Sequence, residues 1–217
     1  MKLSFTHLAL LAPVLLAVAF AGCQSKNPQD ARVPVNNVYE AAPSLPLHVQ
    51  RVAVLPVYWE DYQDYTDSYV DEVVLQALRQ SARFEVVEIP RETLREWYGR
   101  PQLGSQERLP RDLPQRIGDA YGAQGLLVVD LQHFRPYQPM EVSMQAQLVD
   151  LLTGETFWSA DHTETAGNPV LRKAAASTEA RTVEAPVEAF DQRATYSPRR
   201  FLGVVSQSLF YTLPHRN

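Results

Sequence analysis

Cys23 is the only cysteine of the chain, and a lone thiol can serve as a packing residue, a nucleophile, a metal ligand or a site of modification. With no second cysteine, an intrachain disulfide is impossible. The two preceding residues, Ala21 and Gly22, have small side chains that let the backbone lie extended in a peptidase cleft. The residues that precede Cys23 decide between these roles.

The residues before Cys23 have the pattern of a secretory signal. Lys2 precedes an apolar run from Leu8 to Ala21, which ends in small residues. A transmembrane helix needs roughly 20 apolar residues, and this run is shorter and is interrupted by Pro13. We therefore predict that residues 1–22 are a signal peptide that is removed.

The end of this signal, Phe20-Ala21-Gly22-Cys23, resembles the bacterial lipoprotein box, in which an apolar residue and two small residues precede cysteine. The family usually has leucine where this chain has Phe20. The resemblance implies cleavage before Cys23 and acylation of it, with palmitate-type chains that hold the protein at a membrane. The alternative is an ordinary secretory signal with an incidental cysteine. By resemblance to enterobacterial lipoproteins, Gln24 in the second position favours the outer membrane, with the rest of the chain in the periplasm.

Two further regions follow the signal. Residues 23–48 are polar, contain prolines and lack a helical or strand period, so we predict a flexible tether. Its roughly 24 residues from Gln24 to Leu47 would span about 27 Å. Residues 49–217 are enough for one domain with its own core. Within it, residues 166–195 are polar, and their order is left open. A net charge of −5, together with secretion, argues against a nucleic-acid partner.

Strand and helix patterns alternate along the domain. Strands are predicted at 50–59, 84–89, 125–137, 140–150 and 155–162, and helices from Thr66 or Asp67, at 90–99, at 113–121 and from Ser197. The strand from Gly125 is apolar throughout its first half, which predicts burial on both faces. The strand from Met140 alternates with period 2, which predicts one buried and one exposed face. Strands and helices thus alternate along the domain, followed by a strand hairpin that turns at Thr153-Gly154 and a closing helix.

Four pieces of the chain, in this order, resemble one superfamily: RVAVLPV, VVLQALRQSARFEVVEIPRETL, GDAYGAQGLLVVDL and QAQLVDLLTGETFWS. The superfamily includes the curli secretion lipoprotein, the outer-membrane activator lipoproteins of penicillin-binding proteins and the N-terminal domain of the TolB translocation protein. The resemblance covers about residues 50–160 and the closing helix. It implies an α/β domain with a mixed β-sheet flanked by helices, similar to the TolB N-terminal domain. Because such folds host several functions, it does not by itself set an activity.

The residues that could carry catalysis or bind a metal are scattered. Beyond the signal, the chain has histidines at four separate positions, without the spacing of a metalloprotease motif: His48, His133, His162 and His215. His133 and His162 would be the one candidate metal pair, if their strands were neighbours in the sheet. Asp130 stands late in an apolar strand, either as a catalytic carboxylate or, as we prefer, as a strand-end residue that bonds to backbone. With neither a nucleophile elbow nor a phosphate loop, we expect no enzyme activity, no cofactor and no metal.

Aromatic and acidic residues interleave in the segment Val57–Tyr69, which we call the aromatic-acidic segment. We predict a partner surface there, because tyrosine and tryptophan rings supply contact area while their polar tips tolerate water. Its candidate residues are Tyr58, Trp59, Asp61, Tyr62, Asp64 and Tyr65. In the alternative interpretation, the rings pack onto the domain's own edge and the acids only keep the loop soluble.

These features favour a lipid-anchored periplasmic adaptor that binds another cell-envelope protein and assists assembly, secretion or cell-wall synthesis without catalysis. The alternative is a subunit of an oligomeric outer-membrane secretion channel of the curli type. A channel needs hairpins with strands of about 9–11 alternating residues, and the polar, proline-containing stretches near 99–114 and 163–190 do not alternate. The partner's identity and the oligomeric state are left open.

The anchor prediction is tested by replacing the acceptor thiol. We expect Cys23→Ser to move the protein from the membrane fraction to the soluble periplasm and to abolish incorporation of radioactive palmitate, because the hydroxyl does not replace the thiol as acceptor. Cell fractionation of the variant beside the wild type makes the measurement. Unchanged membrane association of Cys23→Ser would refute the anchor.

Overall fold

The computed structural model describes residues 33–61, 69–171 and 197–216. Its strands are β1 (Asn37–Glu40), β2 (Ser44–Leu45), β3 (Arg51–Val54), β4 (Glu85–Glu88), β5 (Gly125–Arg135), β6 (Glu141–Asp150), β7 (Thr156–Thr165) and β8 (His215–Arg216). Its helices are α1 (Tyr69–Ser81), α2 (Arg91–Tyr98), α3 (Leu113–Tyr121) and α4 (Pro198–Tyr211).

Six strands form one mixed sheet in the order β1-β7-β6-β5-β3-β4. β3 pairs in parallel with β4 on one side and with β5 on the other. The pairs β5–β6, β6–β7 and β7–β1 are antiparallel. The predicted α/β fold with a mixed sheet flanked by helices is therefore confirmed.

The two long central strands have the burial that their patterns predict. The first seven residues of β5 are all buried, as expected for an apolar strand covered on both faces. In β6, half-buried and fully buried residues alternate along all ten positions. The face of β6 that carries Met144, Ala146 and Leu148 is thus the core face.

The helices cover the two faces of the sheet unequally. α1 and α4 pack on one face, where the main core lies, with Trp158, Phe201 and Phe210 among its fully buried side chains. α2 and α3 pack on the other face, over residues of β3 and β5 such as Ala53 and Leu126. On that side, the outward residues of β6 are half-buried and polar except Val149.

Two helix ends follow the predicted glycine stops. Gly99 after α2 and Gly122 after α3 have φ of +75° and +62°, a left-handed conformation that glycine adopts without a Cβ penalty. At α4, Ser197 is extended as an N-cap should be, but its side chain makes no capping hydrogen bond. The N-cap predicted at Thr66 or Asp67 lies outside the described residues.

The strand predicted over 50–59 is shorter than its apolar pattern. β3 ends at Val54, just before Pro56, which has no N–H for a ladder bond. Pairing with β5 returns at Tyr58, whose N–H donates to the Val129 carbonyl (2.9 Å) and whose carbonyl accepts from the Leu131 N–H (2.8 Å).

The second half of the predicted tether differs from a free chain. β1 pairs with β7 at four positions, from Asn37 opposite Asp161 to Glu40 opposite Trp158. Val33 is 3% exposed and belongs to the main core, and Leu45 and Val49 join it there. The tether up to residue 48 was predicted from a mostly polar composition. Single apolar residues within this stretch nevertheless pack into the core, and they attach the chain to the domain from residue 33 onward.

Several predicted features lie outside the described residues: the signal peptide 1–22, Cys23, the first part of the tether and most of the polar region 166–195. Of that region, Ala166 and Leu171 are buried in the main core. None of the helices in the described ranges is long and apolar enough to cross a membrane.

Candidate functional site

An ion pair organises the edge of the sheet where β3 and β4 end. The Arg91 guanidinium donates two hydrogen bonds to the Asp71 carboxylate, from Nε to Oδ2 (2.6 Å) and from Nη2 to Oδ1 (2.9 Å). Nη1 donates to Gln102 Oε1 (2.9 Å), and Nη2 also donates to the Val57 carbonyl (2.9 Å). Arg91 is 8% exposed and Asp71 19%. We call Arg91, Asp71 and Gln102 the clamp.

The clamp holds both ends of the aromatic-acidic segment. At its start, the Val57 N–H donates to Asp71 Oδ1 (2.8 Å), while the Val57 carbonyl accepts from Arg91. Two residues later, Gln102 Nε2 donates to the Trp59 carbonyl (2.8 Å). Asp71 itself lies in the first turn of α1, just beyond the segment's other end. A bidentate arginine–carboxylate pair fixes direction as well as distance, so the segment leaves from a rigid base.

The predicted partner residues differ in burial, and three of the six lie outside the described residues. Trp59 is 9% exposed, and its ring packs edge-to-face on Phe134 with centroids 5.7 Å apart, so it belongs to the core. Tyr58 is half-buried, and its ring lies so close to Gly104 that a Cβ there would meet it at 3.0 Å. Asp61 is exposed, as is its neighbour Glu60. Tyr62, Asp64 and Tyr65 lie outside the described residues. The alternative of rings packed on the domain's own edge is therefore right for Trp59.

Asp130 bonds to backbone, as its strand-end interpretation predicts. Its two oxygens accept from the Ser105 N–H (both 3.0 Å), and Oδ2 also accepts from Ser105 Oγ (2.6 Å). Burial raises the pKa of Asp130; the Ser105 hydrogen bonds oppose this rise, and the nearby charge of Glu107 adds to it. Asp130 thus holds the loop that carries Ser105 against the edge of the sheet.

An open cleft of about 290 Å³ lies beside the clamp, between α1 and the start of α2. Its floor is apolar, with Leu55, Val74 and Ile89 among the lining residues. The acids of its rim already have cationic neighbours: Glu72 with Arg199 (2.6 Å), Glu88 with Arg79 (3.5 Å) and Glu92 with Arg95 (3.3 Å). With these charges balanced, the cleft has no evident preference for a ligand of either sign.

The histidine pair considered for a metal does not form. β6 lies between β5 and β7, and His133 pairs with Ser143 on the outer face, whereas His162 pairs with Met144 on the core face. His162 is 2% exposed, with Nδ1 2.7 Å from Asn36 Oδ1 and Nε2 3.7 Å from Glu164. Burial lowers the pKa of His162. In the described ranges, no group of three or more histidine, cysteine or acidic side chains is arranged to hold a metal.

The clamp residues are the part of the site that the sequence patterns missed. Arg91 lies in the first turn of a predicted helix, and Asp71 occupies a position where acids commonly favour the positive end of a helix. Both therefore resemble ordinary surface charges in the sequence. One signal was available: Asp71 lies on the same helical face as the buried Val74 and Leu78.

No protein-family model matches the chain, and no curated protein matches it in sequence. Solved structures similar to it include the PelC dodecamer from Paraburkholderia phytofirmans, with 14% identity over 83% of this chain and 97% of that chain and a TM-score of 0.41. Lipoprotein GNA1162 from Neisseria meningitidis has 20% identity over 55% and 85%, with a TM-score of 0.41. The LpoB C-terminal domain from Escherichia coli has 20% identity over 54% and 82%, with a TM-score of 0.37. At these values, none of the likenesses assigns a family or a function.

The clamp predicts a specific loss of stability. We expect Arg91→Met to lower the free energy of unfolding by about 2–3 kcal/mol, because the Asp71 carboxylate loses its counter-ion and the Val57 carbonyl loses its arginine donor. Asp71 is partly accessible to water, so the loss should be below the 3–5 kcal/mol of a fully buried pair. Urea denaturation of the chain from residue 24 measures it. The control Arg111→Met, at an exposed position, should change stability by less than about 0.5 kcal/mol. Equal effects of the two variants would contradict the clamp.

The raised pKa of Asp130 predicts how the free energy of unfolding changes with pH. Because the folded-state pKa is raised, the folded protein favours the protonated carboxyl, and stability falls as pH rises through that value. Asp130→Asn removes this titration, so its unfolding free energy should increase relative to wild type from about pH 4 upward and then level off. Ser105→Ala removes a hydrogen bond that lowers the pKa, and should move the change to higher pH. Denaturation at a series of pH values makes the test, and a difference that is constant with pH would contradict it.

Proposed function

We propose that the protein is a lipid-anchored adaptor of the bacterial cell envelope, which binds another envelope protein and performs no catalysis. In this proposal, Cys23 carries the lipid, the outer membrane carries the anchor, and the domain faces the periplasm. The aromatic-acidic segment on its clamp is the observation that carries the proposal. There the clamp holds the backbone in place, and acidic side chains of the segment are exposed to solvent.

The clamp supports a role in binding because it lowers the cost of recognition. A loop that is already fixed at its base loses less conformational freedom when a partner binds, so more of the contact energy appears as affinity. Glu60 and Asp61 are exposed beyond the buried Trp59. Their charges would select a partner with a complementary basic surface and would speed the encounter.

The state of Asp130 supports a role without catalysis. It is the one carboxylate that the sequence suggested for chemistry at this edge of the sheet. Both of its oxygens are engaged by Ser105, and the side chain is 3% exposed. A general base must reach its substrate, and Asp130 instead fastens a loop.

The experiment is to extract the full-length lipidated protein in mild detergent and to determine its size and composition by light scattering and electron microscopy. We expect a monomer or small oligomer that carries a second envelope protein. The double variant Glu60→Lys with Asp61→Lys should weaken this association at least about tenfold, because like charges facing each other across an interface cost several kcal/mol.

A matched control separates local from overall charge. Glu96→Lys with Asp119→Lys makes the same change in net charge at exposed positions on α2 and α3, and should leave the association intact. If both double variants bind equally well, the segment is not the partner surface. Uniform rings without a second protein would instead favour the channel alternative.

A further inference from the structure

We propose that the turn between β5 and β6, with Tyr137 at its tip, lies in the headgroup layer of the membrane that carries the anchor. The proposal rests on the lipid attachment at Cys23 in the proposed function. It adds the orientation of the domain and a second contact with lipid, made by a protein side chain.

The first step is the length of chain between lipid and domain. Val33, ten positions after Cys23, is already buried in the main core. Ten residues span at most about 33–36 Å when fully extended. Any flexible chain of ten residues has a typical end-to-end distance of about 16–19 Å. The domain is therefore held much closer to the lipid than a tether reaching to residue 48 would hold it.

The second step is where this chain joins the sheet. Asn37, the first residue of β1, lies opposite Asp161, and the preceding Asn36 contacts His162. Moving back toward Cys23 thus means moving along β7 toward Thr165. Thr165 pairs with Glu141, the first residue after the β5–β6 turn. Followed back from β1, the described chain therefore leaves the sheet at the end that carries this turn.

The third step compares the two ends of the sheet. The ten residues of β7 extend about 33 Å, and the β6–β7 turn lies at the far end. To turn the far end toward the membrane, the ten-residue connection would have to be almost fully stretched. A fully stretched connection loses most of its conformational entropy, which makes this orientation unfavourable. The near end is accordingly the end that faces the lipid.

The fourth step is the chemistry of the turn. Tyr137 lies at the tip of the turn and is 78% exposed. The residues on both sides of it are prolines or polar residues. Two hydrogen bonds connect the two sides of the turn: Arg135 Nε donates to the Pro139 carbonyl (2.7 Å), and Arg135 Nη2 donates to Glu141 (3.2 Å). Tyrosine is enriched at membrane interfaces, because its ring is apolar and its hydroxyl is hydrated. An exposed ring on a closed turn at the near end fits the headgroup layer.

The test places a photo-reactive benzoylphenylalanine at either end of the same sheet in the full-length lipidated protein. One variant carries it at Tyr137. The matched control carries it at Leu152, which is 88% exposed in the β6–β7 turn. Each is reconstituted in vesicles of phosphatidylethanolamine and phosphatidylglycerol, with radiolabel in the ethanolamine headgroup. After irradiation, we expect several-fold more label on the protein from position 137 than from position 152.

Equal labelling at the two positions, or none at position 137, overturns the proposed orientation. Two further readouts separate this failure from failure of the anchor: flotation of the protein with the vesicles and palmitate on Cys23. If Cys23 carries no lipid, the proposal falls together with the anchor. If Cys23 carries lipid and the protein floats without labelling at 137, the adaptor function stands and the orientation alone is wrong.

Discussion

The ion pair between Arg91 and Asp71 joins three segments that are distant in the chain. Asp71 comes from the first turn of α1, Arg91 from the first turn of α2, and both bond to Val57 just beyond β3. An almost buried guanidinium is costly unless all its charge is compensated, and here a carboxylate, an amide and a carbonyl share that task. Because the segments must all be in place for this compensation, the geometry of this edge is strongly specified.

The same edge connects to the antiparallel half of the sheet through Trp59. Its ring packs on Phe134, near the end of β5, and Asp130 in the same strand holds the Ser105 loop. The described start of the aromatic-acidic segment, Val57–Asp61, and the β5–β6 turn consequently lie at one end of the sheet. Under the proposed orientation, that end faces the membrane, and a partner embedded in the same membrane would meet the segment most directly.

The N-terminal strand gives the domain a fixed point of attachment. Within residues 33–45, the edge strand β1 is exposed, whereas Val33 and Leu45 are buried. The stretch is therefore polar in sequence and still packed onto the domain. β2 also pairs with β8, which ties this region to the residues after α4. If the chain is lipid-anchored, a short connection restricts the orientation of the domain relative to the membrane. A long flexible tether would only limit the distance between the domain and the lipid.

Much of the fold could be predicted from the sequence because its signals are local. The alternation in β6, the apolar start of β5 and the glycine stops after α2 and α3 each depend on a few neighbouring residues, and each is confirmed. Their order indicated alternating strands and helices, and the mixed sheet was expected from the resemblance. The small residues before Cys23 are of the same local kind, and the lipid they indicate stays a prediction.

The candidate site was predicted only in part, because exposure is decided between elements. The spacing of aromatics and acids indicated the segment after β3, but whether Trp59 faces a partner or Phe134 depends on where β5 passes. Asp71 shares a helical face with buried residues, but this spacing does not indicate that its partner is Arg91, twenty residues later. The sequence by itself determined the elements, their order and the location of the candidate segment, since those depend on neighbours in the chain. Only the tertiary structure decided which rings are core, which charges form the clamp and where the chain from Cys23 joins the sheet, since those depend on residues that folding brings together.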